Sequence, residues 1–286
     1  MRPPMRSGRT GGDGRDVRPE KKEKEKDPTS RLCSGLSDLQ IGTNPSFQWI
    51  SVYDQRPPMK QRYQSNIKNS RLRHHVERAH KDGLFISSVA SPANDLWSFI
   101  VDDGTGFTSQ VYDISSFFLP KDWIMKQWED KYYISCIAGA NNGRSLVIMS
   151  KGTSYTQQSY KVKHSIPLKW IDKKWKEGFH VTSMATSGSR WAVVMSRNSG
   201  YSKQVLELDF LKPSEDMNRR RERGYKITSM AATADQAALI LSLPRRETTA
   251  EIQETLRTSA FPSSYIKDKW GKRMYITSVC YGRKVE

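Results

Sequence analysis

The sequence predicts a mainly β protein with short helices, built as a closed, propeller-like ring of five repeats. Three observations lead to this fold class. A strand signature recurs five times at nearly constant spacing, further strand-like segments and a short helical segment accompany the copies, and one copy is split between the two ends of the chain. Repeats of about 40–50 residues with several strands are typical of propeller blades.

The signature predicts the first strand of every repeat. It has Ile or Val, then Ser or Thr, then Ser or Cys, then a hydrophobic residue, then Ala or Cys, and successive copies begin 48, 47, 46 and 49 residues apart. Short runs of this kind, bounded by turn residues, are typical of strands. The copies are Ile86–Ala90, Ile134–Ala138, Val181–Ala185, Ile227–Ala231 and Ile276–Cys280.

Two more strands are predicted in each repeat, so that the segment Phe179–Phe210 contains three strands separated by turns at Gly188 and Asn198–Gly200. The second strands are Trp97–Val101, Leu146–Ser150, Trp191–Ser196 and Ala238–Ser242. The third strands begin near Gln110, Gln158, Gln204 and Gln253.

One copy is complete only if the two ends of the domain meet. Its first strand is the C-terminal signature, and the missing second and third strands match Trp49–Tyr53 and Gln61–Tyr63 near the N-terminus. Terminal strands that share one blade leave no open sheet edge, as a closed ring requires. An open solenoid, which would need atypical capping repeats, is the alternative.

A short polar segment before each signature predicts a helix. Apolar residues four apart, such as Ile171 and Trp175, share one helix face, and Pro is a favoured residue where a helix starts. A fourth, outer strand is the alternative, and we interpret the tryptophans as inter-blade packing rather than ligand platforms. The segments are 66–81, Pro120–Tyr132, Pro167–Gly178, Pro213–Gly224 and Pro262–Lys272.

The 286-residue chain carries a formal net charge of +17, of which residues 1–46 contribute +3 and residues 47–286 contribute +14. Residues 1–46 are rich in Arg, Gly, Pro, Lys and Glu and almost free of aromatic residues, which predicts a disordered basic tail before the repeat domain. The charge on the domain suggests an anionic partner: nucleic acid, an acidic protein segment or a phosphopeptide. Scattered charge on a soluble basic protein is the alternative.

Two groups of residues are candidate binding sites. The candidate contacts to an anionic partner are Arg219, Arg220, Arg221, Arg223, Arg245 and Arg246, which form a basic run and part of an insertion. The candidate residues of a central ring mouth are Gln110, Gln158, Gln204, Phe107, Tyr155 and Tyr201. The recurring glutamines also suit a structural role, in which side-chain amides satisfy backbone groups.

No P-loop, zinc-ligand spacing, HExxH sequence, nucleophile elbow or kinase signature is present. His74, His75 and His80 are close in sequence, but without a standard ligand spacing they favour a solvated helix face over a metal site. Cys136 and Cys280 stand where other copies have Ser or Ala, so we interpret them as small core residues. We therefore expect no catalytic residue, metal or cofactor in this chain, and its motifs leave enzymatic activity uncertain.

Long stretches from residue 48 onwards carry a family resemblance, including DGLFISSVAS, DDGTGFTSQVY, KDWIMKQWEDKYYIS, KWIDKKWKEGFHVTSMAT and YITSVCYGR. They resemble the C-terminal, non-catalytic domain of the plant casein kinase I-like serine/threonine protein kinases. In that family this domain follows a kinase domain, and the proteins are nuclear regulators that phosphorylate histones and signalling proteins. Only 46 residues precede the repeats here, too few for a kinase domain, so none of the family's catalytic residues is carried over.

The repeats, the missing motifs and the resemblance together predict a docking function. We expect a non-catalytic domain that binds a protein partner in the nucleus, either a kinase domain or the histones and signalling proteins on which such kinases act. The cytoplasm is an additional location to consider. The alternative is a nucleic-acid or chromatin-binding module that uses the basic surface.

Overall fold

The computed structural model describes residues 47–208, 215–246 and 252–283. These residues form a mainly β structure of five three-stranded antiparallel sheets with five helices. Residues 1–46, for which we predict a tail, and Pro213, for which we predict a helix start, lie outside the described residues. None of the described helices has the length and apolarity needed to cross a bilayer.

The fifteen described strands are β1 (Phe47–Gln55), β2 (Gln61–Lys68), β3 (Phe85–Ala93), β4 (Leu96–Asp102), β5 (Ser109–Ser115), β6 (Tyr133–Gly139), β7 (Ser145–Lys151), β8 (Gln158–Lys163), β9 (His180–Ser187), β10 (Arg190–Ser196), β11 (Tyr201–Leu208), β12 (Lys226–Ala232), β13 (Ala237–Pro244), β14 (Gln253–Thr258) and β15 (Met274–Arg283). The helices are α1 (Asn69–Lys81), α2 (Lys121–Glu129), α3 (Leu168–Lys176), α4 (Glu215–Glu222) and α5 (Ser263–Gly271).

All five sheets have the same strand order. An outer strand carries the recurring glutamine, a middle strand follows, and an inner strand with the signature forms the other edge. The sheets are β14-β1-β15, β2-β4-β3, β5-β7-β6, β8-β10-β9 and β11-β13-β12. The middle strands are buried almost throughout, which explains why their sequences are continuous apolar runs rather than alternating patterns.

The predicted strands are present, but the prediction of which strands share a sheet was wrong for the third strand. In the segment Phe179–Phe210, β9 pairs with β10, whereas β11 pairs with β13 of the next sheet. After each middle strand the chain crosses to the outer edge of the next sheet, forms the helix, and returns along the inner and middle strands. Each unit therefore does contain three strands and a short helix.

The N-terminal and C-terminal strands of the described chain share one sheet. β1 is the middle strand between β14 and β15, and its Trp49 pairs with Thr258 on one side and Tyr281 on the other. The predicted pairing of Trp49–Tyr53 with the last signature is confirmed. Gln61–Tyr63 instead belongs to β2 of the next sheet, because β14 already occupies the outer position.

Each inner strand also contacts the inner strands of two other sheets. β3 contacts β6, β6 contacts β9, β9 contacts β12, β12 contacts β15, and β15 contacts β3. The hydrophobic core is divided in the same way into five clusters, each formed by side chains of two successive sheets. One cluster packs Trp97 of β4 with Ile148 of β7, for example.

Helices α2, α3 and α5 each bury one apolar side chain deeply and a second one partly. Ile124, Ile171 and Ile266 are at most 1% exposed, and the tryptophan four residues later packs at the edge of the same cluster. Proline occupies the position immediately before α2, α3 and α5. The helix, rather than a fourth strand, is therefore confirmed for these segments.

Candidate functional site

The five inner strands line a common cavity of about 90 Å³. Its walls are the corresponding segments 87–91, 135–139, 182–186, 228–232 and 277–281. The small residues of the signature are explained by this position, since five strands converge on one narrow space. A second cavity of about 390 Å³ adjoins the ends of the inner strands and is lined by the turns that lead to the middle strands; we call this end the hairpin mouth.

The second signature residue bulges out of every inner strand. The pairing register shifts at this residue in all five sheets, for instance between Ile86 and Ser88. A bulged residue lacks a partner in the ladder, and here its hydroxyl bonds to the middle strand instead. Ser87 Oγ donates to Asp102 Oδ2 (2.6 Å), and Thr277 Oγ1 donates to Val52 O (3.4 Å). The other three are hydroxyl pairs: Ser135–Ser150 (2.8 Å), Thr182–Ser196 (2.8 Å) and Thr228–Ser242 (2.6 Å).

The recurring glutamines join successive sheets. Each side chain reaches from an outer strand to the first signature residue of the preceding sheet, where Oε1 accepts from the backbone N–H and Nε2 donates to the backbone carbonyl. The five pairs are Gln61–Ile276 (3.1 and 2.9 Å), Gln110–Ile86 (2.9 and 3.0 Å), Gln158–Ile134 (2.7 and 2.7 Å), Gln204–Val181 (2.6 and 2.7 Å) and Gln253–Ile227 (2.7 and 3.2 Å). These bonds support the structural interpretation of the glutamines.

The helix tryptophans complete these glutamine contacts. Trp128, Trp175 and Trp270 each donate Nε1–H to Oε1 of one of these glutamines, at 3.0–3.1 Å. The acceptors are Gln158, Gln204 and Gln61, respectively. In α1 the ring of His80 takes this place, with Nε2 3.4 Å from Gln110 Oε1. The tryptophans therefore hold the junction between sheets, as the packing interpretation expects.

The inner strands begin at the end of the cavity opposite the hairpin mouth. We call this end the tyrosine mouth, after Tyr155 and Tyr201 in the loop before β8 and at the start of β11. Burial raises the pKa of Tyr155, and the nearby Tyr201 phenol and Cys136 thiol raise it further. Burial also raises the pKa of Tyr201, whose phenol forms a hydrogen bond with Thr228. Both predicted mouth tyrosines thus extend toward the inner strands.

Phe107, the third aromatic residue predicted at a mouth, is half-buried in the loop before β5. This loop touches the next loop at Gly152, which has φ +84. A Cβ atom at Gly152 would lie 2.5 Å from the carbonyl oxygen of Gly106, so only glycine allows the two loops this close an approach.

Three cations border the tyrosine mouth. Arg56 lies 3.6 Å from Asp54 and lowers the pKa of Tyr201. Burial lowers the pKa of Lys226, while Asp54 raises it and Arg56 lowers it. Arg245 donates Nε–H to the backbone carbonyl of Tyr201 at 2.9 Å. Arg56 and Lys226 lie within electrostatic reach of each other and of Asp54, which offsets part of their charge, and Arg245 is bonded to Tyr201. Three cations and one carboxylate thus lie beside the phenol of Tyr201.

Buried polar atoms without a hydrogen-bond partner also lie around this mouth. In the described part of the chain they include Thr153 Oγ1, His180 Nδ1 and Ser199 Oγ. His180 begins β9, and the two hydroxyl residues lie in the loops before β8 and β11. Burial lowers the pKa of His180, a backbone hydrogen bond with Ser202 raises it, and Arg245 lowers it further. Because an unpaired buried polar group costs free energy, a ligand that supplies partners would be favoured here.

The structure separates the predicted basic contacts into two groups. In α4, Arg220 pairs with Glu207 at 3.3 Å and Arg221 Nη2 lies 3.3 Å from Thr255 Oγ1. Arg219 also has an interaction partner within the protein. The side chains of Arg220 and Arg221 are therefore engaged, at least in part, by neighbouring strands.

The second group belongs to the tyrosine mouth. Arg245 bonds to Tyr201 there, and the exposed Arg246 follows it. Arg223 is exposed between α4 and the start of β12.

Sequence reasoning missed Arg56, His180 and Lys226. His180 and Lys226 stand immediately before the signature, where the five copies have Phe, Tyr, His, Lys and Tyr. A position that differs among otherwise similar copies is not fixed by the repeat packing, and this variation could have identified it as a candidate for binding.

The two described cysteines are free and buried, as their interpretation as core residues expects. Burial raises the pKa of the Cys136 thiol and raises that of Cys280 to about 12. Burial thus disfavours the thiolate form of both cysteines, which is the reactive form.

Fold and site together define a mainly β repeat protein whose five sheets line one cavity with a polar, cationic mouth. The chain belongs to the family described as Domain of unknown function (DUF7477), whose model matches residues 21–286. It is also 64% identical over 247 residues to the casein kinase 1-like protein HD16 of Oryza sativa subsp. japonica. The match covers 86% of this chain and 35% of that protein, so the chain spans about a third of the length of this curated relative.

Proposed function

We propose that the five sheets form a closed, propeller-like ring, and that this ring is a non-catalytic docking domain for a protein partner. The support for closure is that every inner strand has two inner-strand neighbours, β15 and β3 included. The glutamine contacts follow the same cyclic order, since Gln61 joins the second sheet to β15. A closed ring leaves its two mouths as concave surfaces.

The observation that carries the docking function is the composition of the tyrosine mouth. Phenols, cations and buried polar atoms without partners converge there, whereas the hairpin mouth is lined mostly by small neutral residues. Concave sites with a few convergent polar groups are typical binding sites. A protein segment with acidic and hydrogen-bonding groups complements this mouth.

The similarity to a casein kinase 1-like protein suggests which proteins dock. We propose that the matched segment of such proteins lies outside the catalytic domain and holds a substrate or regulator for it, and that this chain offers the same surface in trans in the nucleus. Its partner is then a kinase domain or a protein that such a kinase phosphorylates. The nucleic-acid alternative uses the basic run that includes Arg219, Arg220 and Arg221, and the side chains of Arg220 and Arg221 contact Glu207 and Thr255.

The test compares partners captured by the full chain and by two double variants. R56A/R245A removes cations from the tyrosine mouth, and R144A/R190A removes the same charge from the hairpins at the opposite end of the sheets, where Arg144 pairs with Asp95 and Arg190 lies over the Phe118 ring. Plant nuclear extract treated with nuclease, at about 0.3 M salt to screen exposed charges, is analysed by quantitative mass spectrometry. We expect R56A/R245A to lose specific partners and R144A/R190A to keep them.

Two results would contradict this function. Identical partner sets for the two variants would show that the tyrosine mouth is not the docking site. Phosphate transfer from ATP to casein by the purified chain, above that of a blank preparation, would show that the chain is itself catalytic.

A further inference from the structure

Helix α1 differs from the other four described helices in length and composition. It has 13 residues, against 8 or 9 in α2 to α5. Its buried face consists of Leu72, Val76 and Ala79, which span two turns. The extra length therefore extends both the buried face and the exposed face opposite it.

The exposed face of α1 carries a continuous stripe of basic side chains. Residues three or four positions apart are neighbours on a helix surface, and this spacing connects Arg71, His74, His75, Arg78 and Lys81. At 1.5 Å per residue the stripe is about 15 Å long.

Nearby acidic side chains leave this stripe positive. Glu77 pairs with Arg73 at 2.7 Å, and Asp82 pairs with Arg62 at 2.5 Å. Among the ion pairs of the described residues, none joins a carboxylate to Arg71, Arg78 or Lys81 within 4.0 Å. The cations of the stripe thus lie next to one another without a directly bonded anion.

The effect of this crowding is visible at His75. Burial lowers its pKa, and His74, Arg71 and Arg78 lower it further, so these four groups lie close enough to repel. Glu77 and Tyr112 of β5 face Arg73. Glu77 also lies within electrostatic reach of Lys81 and His74, and Asp82 within reach of Arg78, so these two carboxylates, each bonded to another arginine, offset only part of the charge of the stripe. An anion along the stripe would relieve this repulsion.

We propose that α1 binds the phosphate backbone of double-stranded nucleic acid. The stripe lies on a convex helix, and the major groove of a duplex, about 12 Å wide, admits a helix; a convex surface does not enclose a peptide as the tyrosine mouth can. α1 contains no Phe, Tyr or Trp on which single-stranded bases would stack. Contacts from Arg, Lys and His to phosphates bind without reading the base sequence.

The test measures binding of the full chain to a 20-base-pair DNA duplex by fluorescence anisotropy at several salt concentrations. R71Q/R78Q removes two cations from α1, and K121Q/K126Q removes two exposed cations from α2 as a matched control. Gln preserves helix propensity. Each phosphate contact contributes about 0.9 to the slope of log K against log salt, so we expect the slope to fall by about two for R71Q/R78Q and to stay unchanged for K121Q/K126Q.

A pH series adds an independent readout. An anion favours the charged imidazole, so duplex binding should tighten from pH 8 to pH 6, and H74Q/H75Q should lose most of this change. Thermal unfolding of each variant checks the fold, with R71Q and R78Q tested singly if the double variant unfolds. Equal weakening by R71Q/R78Q and K121Q/K126Q, or equal affinity for polyglutamate and duplex, would overturn the proposal.

Discussion

Gln204 shows how one side chain joins three elements of this protein. Its Oε1 accepts from Trp175 Nε1 and from the backbone N–H of Val181, and its Nε2 donates to the Val181 carbonyl and to Ser242 Oγ. From the sequence, a structural role could be predicted for the recurring glutamines. The partner of Gln204 could not be predicted. This partner is the backbone of Val181, 23 residues earlier in another sheet, and the sequence does not reveal which sheets are adjacent.

At this scale we expect Gln204→Ala to destabilise the protein by about 2–4 kcal/mol. The substitution leaves the Val181 backbone groups and the Trp175 indole N–H without partners, and each unsatisfied buried group costs about 1–3 kcal/mol. Urea denaturation measures the free energy of unfolding. As a control, Gln157→Ala changes an exposed loop residue and should lower the free energy of unfolding by less than about 0.5 kcal/mol. A loss for Gln204→Ala no larger than this control would refute the proposed stabilising role of the Gln204 side chain.

At the scale of elements, the strands and helices could be predicted because each leaves a local pattern. The apolar runs of the middle strands and the Ile–Trp pairs of the helices depend only on which face is buried. The strand grouping could not be predicted, because three consecutive strands look the same whether the third pairs backwards or with the next sheet. The tyrosine mouth was predicted only in part, since its cations come from loops and from a signature-flanking position that differs among copies.

Two glycines with the same φ test the contact between neighbouring mouth loops. Gly152 and Gly200 both have φ +84, but a Cβ atom would meet Gly106 O and Thr108 N at Gly152 and nothing within 4 Å at Gly200. Gly200→Ala should therefore cost about 1–2 kcal/mol from the left-handed backbone alone. Gly152→Ala should cost about 1–3 kcal/mol more, because the added methyl overlaps a backbone.

The two unfolding free energies, measured by urea denaturation, decide this comparison. A Gly152→Ala variant as stable as Gly200→Ala would mean that the loop contact is not held in solution.

At the scale of the whole molecule, the number of units follows from counting repeats. The shared terminal sheet follows from the split copy, because Trp49–Tyr53 pairs with the last signature, although Gln61–Tyr63 belongs to the next sheet. β1 is the middle strand of this shared sheet. Its Ile50 and Val52 are at most 1% exposed and pack against Ile227 and Leu239 of the sheet β11-β13-β12. Trp49 on the same strand packs with Ile100 of the second sheet. One strand from the N-terminal part thus stabilises contacts to sheets on both sides.

Deleting β1 therefore distinguishes the proposed ring from an open row of sheets. Removal of residues 1–55 deletes β1. In an open row the other four sheets would still unfold in one cooperative transition. The m-value of this transition would be lower by roughly a fifth, because it scales with the surface exposed on unfolding. In a closed ring the deletion breaks two neighbouring interfaces, so we expect no cooperative urea transition. A peptide of residues 45–57 added in trans should restore it, whereas the same peptide with I50D and V52D, which places carboxylates in the core, should not. A cooperative transition without the peptide would contradict the ring, since only an open row tolerates the loss of its terminal strand.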